Sequence, residues 1–97
     1  ELFGYLLDGL AAAREGDARL LDASLVVYGS GLADGNTHSH HDLPILLAGG
    51  GNGSLHPGRH VVWPAETPLN NLHLALLERM GVRDVPLGDA TGVLAGI

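Results

Sequence analysis

Three histidines and two carboxylates crowd into one stretch of this chain, Asp34-Gly35-Asn36-Thr37-His38-Ser39-His40-His41-Asp42. If the backbone is extended there, side chains alternate, and His38, His40 and Asp42 project to one side with His41 on the other. Two imidazoles and a carboxylate on one face suit a divalent transition metal such as Zn, Mn or Fe. A neighbouring carboxylate can instead orient an imidazole without touching the metal. The plainer alternative is a set of loop or surface histidines with no ligand. The spacing matches no diagnostic signature, so it names a chemistry and not a site.

The other candidates are weaker. Gly49-Gly50-Gly51-Asn52-Gly53-Ser54 has the look of a phosphate loop but lacks its Lys, does not fit G-x-G-x-x-G, and precedes an expected strand. It reads as a flexible connection. Ser30, Ser39 and Ser54 stand in no G-x-S-x-G elbow, and no Ser-His-Asp set follows from spacing within one loop. His73 borders the apolar face of an expected helix. His56 and His60 flank the turn at Pro57-Gly58 and read as solvated, while the adjacent Arg59 suits an anion.

The elements that must position these residues follow from periodicity. Residues 2–14 carry apolar residues at helical spacing up to Gly16, which predicts an amphipathic helix. Gly16 to Arg19 reads as a turn. Leu25-Val26-Val27-Tyr28 predicts a short buried strand closed by Gly29, and Pro44 to Ala48 a second one, apolar throughout as central parallel strands are. The histidine loop joins the two, where α/β sheets build their sites. Arg59 to Trp63 predicts an edge strand ended by Pro64. Thr67 as cap, Pro68 in the first turn and Gly81 after the end bracket a helix whose stripe is Leu69, Leu72, Leu76 and Met80. Helix, strand, strand, edge strand, helix is an α/β pattern.

Composition limits the partners. The chain has 97 residues, with eleven acidic and five basic side chains and a net charge of −6. Nucleic acid and anionic membrane surfaces need a cationic patch that such a chain lacks. Without cysteine there is no disulfide and no thiolate metal site. No apolar run approaches the roughly 18 residues that cross a bilayer. Glu1 stands where an initiator Met or a signal peptide is expected, and it opens directly onto a helix. That reads as a cut, with the upstream part of the same chain as the partner that covers the strands.

Much of the sequence is also familiar. The run from Leu20-Leu21-Asp22 through Val27-Tyr28-Gly29-Ser30-Gly31, Asp34-Gly35-Asn36, His38, Leu43-Pro44, Leu46-Leu47-Ala48-Gly49-Gly50, Gly58-Arg59-His60, Pro68-Leu69, Asn71-Leu72, Met80-Gly81 and Gly88-Asp89 resembles the end of a bacterial family named for an HXXSHH motif. Ser39-His40-His41 matches only the last three letters of that motif, which the resemblance places upstream. Members are commonly predicted to be exported, and the resemblance implies the same periplasmic or extracellular location here.

That family is in turn similar to the alkaline-phosphatase and sulfatase superfamily of two-metal hydrolases and transferases. The resemblance implies a C-terminal fragment of an alkaline-phosphatase-like α/β sheet with flanking helices, without an internal boundary. It implies His38 as a metal ligand, from its interval to Leu46-Leu47-Ala48-Gly49-Gly50. The superfamily usually sets an Asp-His pair or an acidic residue directly after the preceding strand. Here that place reads Gly29-Ser30-Gly31, and Asp34 is the nearest substitute. The expected metal set is therefore His38, His40, Asp34 and Asp42, and the expected substrate a small phosphate or sulfate ester. The alternative is a non-catalytic exported protein using the loop for structural metal or ligand binding.

Overall fold

A computed structural model describes all residues, 1–97. The chain is a mixed α/β protein with two helices and two small antiparallel sheets. It divides into two compact units, Glu1–Pro57 and Gly58–Ile97.

The first unit opens with α1 (Leu2–Ala12). No residue of α1 is buried, and Leu2 and Tyr5 are 86% and 80% exposed. Phe3, Leu7 and Leu10 are half-buried, and Phe3 stacks on Tyr28 with centroids 5.1 Å apart, a spacing favourable for aromatic pairs. Residues 16–19 are more than the expected turn. They form half of a small hairpin in which β1 (Arg14–Glu15) pairs with β2 (Ala18–Arg19). A 3-10 turn over Leu20–Ala23 follows, and Asp22 closes it by accepting from the Arg19 backbone N–H and guanidinium.

The two expected strands exist, as β3 (Val26–Gly29) and β4 (Ile45–Ala48), but they pair antiparallel, Val26 opposite Ala48 and Gly29 opposite Ile45. They are not fully buried either: Val27, Tyr28 and Leu46 are all substantially exposed. An unbroken apolar run marks a strand that can be covered on both faces. It does not specify the direction of the neighbour, and here residues 30–44 return the chain antiparallel.

The Gly-rich stretch after β4 is ordered, contrary to the expectation of a flexible connection. Gly50 N–H donates to Leu21 O at 3.0 Å and Gly51 N–H to Ser24 O at 3.0 Å. A Cβ at Gly50 would lie 2.5 Å from the Asp22 carbonyl oxygen, and one at Gly49 would collide with that of Ser24. Two backbones meet here with no room for side chains.

In the second unit, residues 59–63 are irregular and not the expected edge strand. A strand needs a partner ladder, and Arg59 instead reaches across to donate to Gly96 O at 2.7 Å. The helix α2 spans Leu69–Arg79. Thr67 is not its cap. Pro68 takes that position, and the Thr67 hydroxyl donates backwards to Pro64 O at 2.6 Å. At the other end the expected Gly81 has φ 87 and completes a Schellman motif, with Gly81 N–H to Glu78 O and Val82 N–H to Leu77 O.

The buried face of α2 is Asn71, Leu72 and Ala75, whereas Met80, expected in the stripe, is 71% exposed. What tilts the face is the polar Asn71. Its amide donates to Thr91 Oγ1 at 3.0 Å and accepts from Thr91 N–H at 2.9 Å, while its carbonyl takes Leu94 N–H. The tail that reads as plain loop is strapped to the helix.

Gly50→Ala should destabilise the protein by about 2 kcal/mol or more, the range of severe overpacking. Thr67→Ala should stay within about 0.5 kcal/mol, because no first-turn amide depends on it. Urea midpoints of both variants check the pair, and a cap-sized loss at Thr67 would restore the cap assignment.

Candidate functional site

The loop between β3 and β4 is organised by a carboxylate. Asp34 Oδ1 accepts the backbone N–H of Asn36 at 2.8 Å and that of Thr37 at 3.4 Å. These bonds, the Asn36 N–H first, then the Thr37 side chain and backbone, hold the Asp34 carboxyl below the ordinary carboxylate range. Ser39 N–H donates back to Asp34 O at 3.2 Å and Ala33 N–H to Ser39 O at 2.8 Å. Residues 34–39 are thus a closed turn inside the long connection. Gly35-Asn36-Thr37 at its tip is the type of segment that an Asp side chain nucleates.

That turn overturns the extended geometry on which the alternation argument stood. His38 and Asp42 both have φ 54, in the left-handed region, and each such residue breaks the period of two. His38, His40 and Asp42 therefore do not share a face by strand alternation. His38, His40, His41 and Asp42 are all exposed, and no three His, Asp or Glu side chains of the chain come together as a metal-holding group. Asp34 Oδ1 accepts the amides of its own turn.

His40 has a defined posture. Its Nδ1 lies 2.8 Å from Gly31 O. A carbonyl oxygen can only accept, so Nδ1 carries the hydrogen, and in the neutral ring Nε2 keeps its lone pair. Metal-binding imidazoles are commonly oriented this way, by a backbone carbonyl on the far nitrogen. His41 N–H leans on Ser39 Oγ at 3.4 Å, and Ser30 Oγ accepts Leu32 N–H at 3.0 Å. The serine hydroxyls of this loop serve the backbone.

Sequence reasoning missed a polar relay on α2. Asn70 Nδ2 donates to Asp89 Oδ1 at 2.9 Å, and Asn70 Oδ1 lies 3.0 Å from His73 Nδ1. His73, read as a boundary residue, is half-buried and hydrogen-bonded. The available signal was Asn70-Asn71 in the first turn of a helix. Two residues of low helix propensity stand there because their side chains have partners elsewhere.

Comparison with protein-family models, curated proteins and solved structures returned no match. No helix is long and apolar enough to cross a membrane.

Because the Asp34 pKa is lowered in the folded loop, its contribution is present above the pKa of the unfolded chain and is lost as pH falls through the folded value. Amide exchange at Asn36 and Thr37, corrected for intrinsic rates, should accelerate only below the ordinary carboxylate range. Asp34→Asn should abolish that pH dependence. Protection that stays flat in the native protein down to strongly acid pH would show that the carboxylate does not hold the turn.

Proposed function

We propose that this chain is the metal-facing C-terminal segment of an exported, alkaline-phosphatase-like hydrolase of small phosphate or sulfate esters. The observation that carries the reading is the posture of His40, whose ring is fixed through Nδ1 to Gly31 O and presents Nε2 as a lone pair. The resemblance adds His38, which stands on the turn that Asp34 closes. In this reading His38 and His40 would hold a divalent metal (Zn, Mn or Fe). Asp34 positions the turn, and Asp42 lies next along the loop as an acidic neighbour. The exposed apolar side chains Val27, Tyr28 and Leu46 fit a β3–β4 pair that belongs to a larger sheet, with upstream chain covering it.

A divalent metal held there would supply polarisation of the ester oxygens and stabilisation of charge developing on them. The chain's own part is narrower. The carbonyl of Gly31 holds the His40 ring in one tautomer, and the Asp34 turn sets where His38 begins. Neither task requires burial, and both reduce the freedom that binding would otherwise remove.

The test is metal titration calorimetry on the natural full-length protein. His38→Ala and His40→Ala should each weaken binding by roughly 10–100-fold or more, the loss seen even for residues that only support ligands. His73→Ala should leave it unchanged. Equal affinity in the native protein and both loop variants would remove the metal from this loop, and the non-catalytic reading would lead.

A further inference from the structure

The Gly-rich turn after β4 contains a reactive dipeptide that neither the metal reading nor the sheet explains. Asn52 is followed by Gly53, and both are exposed. A backbone amide nitrogen that follows an Asn can attack the side-chain carbonyl of that Asn, and glycine hinders the attack least because it has no Cβ. Asn36 precedes Thr37, which is β-branched, and Asn70 and Asn71 lie within α2. Asn52 is the position where local chemistry favours the reaction most.

The structure opposes it. Gly51, Asn52 and Gly53 take φ 54, 56 and 85 in succession. In that conformation Gly53 N–H, the group that must lose its proton to react, donates to Gly50 O at 2.9 Å. Ser54 repeats the closure, with its N–H at 3.2 Å and its hydroxyl at 2.6 Å from Gly51 O. Leu55, buried, anchors the end of the turn through its N–H to Gly50 O.

We propose that Asn52–Gly53 is a site of spontaneous, water-dependent deamidation that the folded turn keeps closed. The Gly53 nitrogen loses its proton to hydroxide and bonds to Asn52 Cγ. The bond from Cγ to the side-chain nitrogen breaks, and ammonia leaves with a proton from water. Water then opens the five-membered imide at either carbonyl, giving aspartate or isoaspartate, with no change of oxidation state. Either product adds a negative charge to a chain already at −6. Isoaspartate also inserts a methylene into the main chain between residues 52 and 53. The bonds from Gly53 to Gly50 and from Ser54 to Gly51 do not survive that insertion. Gly50 and Gly51 are the residues that dock on Leu21 and Ser24, so the lesion loosens the seam between β4 and the 3-10 turn.

The experiment incubates the natural full-length protein in mildly alkaline buffer, folded or in guanidinium chloride, and maps peptides by mass spectrometry. Conversion should be faster at Asn52 than at Asn36 in denaturant. It should be about two- to tenfold slower in the folded protein, the factor that one net amide hydrogen bond supplies. Ser54→Ala should raise the folded-state rate, and Gly53→Ala should slow the reaction in denaturant. Equal rates with and without denaturant would overturn the protective turn. A denatured chain that converts no faster at Asn52 than at Asn36 would overturn the site itself.

Discussion

The first unit depends on a contact between two backbones. Gly49, Gly50 and Gly51 lie against the carbonyls of Leu21, Asp22 and Ser24, so near that a methyl group at Gly49 or Gly50 would displace one of the chains. Two hydrogen bonds, from Gly50 to Leu21 and from Gly51 to Ser24, fix the approach. Ser24 lies just before β3 and Gly49 just after β4, so this seam sets where both strands of the pair are anchored. The register Val26 opposite Ala48 follows from it. The position at which residues 30–44 leave and re-enter the sheet follows in turn. A loop that presents imidazoles is only as well placed as its two ends.

Elsewhere, polar side chains bonded to backbone do much of the work that apolar burial does in larger proteins. Leu55, Leu72, Ala75 and Ile97 are the buried apolar residues, a small set for a chain of 97. Against this, Asp22 closes the 3-10 turn, Asp34 closes the histidine turn, and Asn71 straps residues 91–94 to α2. Each is a short side chain satisfying amides that regular structure leaves unpaired. Such bonds are local, so they shape segments without requiring a thick core.

Legibility in the sequence tracked this division. Elements that rest on apolar periodicity were readable: α1, β3, β4 and α2 all lie within a few residues of their expected bounds. Gly81 was readable because a left-handed residue after a helix has a strong chemical preference. Strand direction was not, since an apolar run is compatible with either kind of neighbour. Thr67 misled for a related reason. A hydroxyl before Pro68 can turn forward to the helix or backward to Pro64 O, and composition does not distinguish the two. The candidate site was legible as a set of residues but not as a geometry. Alternation along an extended strand was the available rule, and Asp34, itself one of the candidate ligands, is the residue that bends the loop away from it.

The roles of the loop residues then separate by what each can no longer do. A carboxylate oxygen that accepts two backbone N–H groups is committed to the fold, which makes Asp34 Oδ1 a constraint on the turn. An imidazole bonded at Nδ1 to a carbonyl loses nothing at Nε2, and it loses rotational freedom that binding would otherwise have to remove. His38, left-handed at the end of the turn, owes its place to the backbone around it. Within this loop Asp34 therefore shapes the backbone on which the imidazoles stand. That arrangement makes the loop's order sensitive to acid through Asp34.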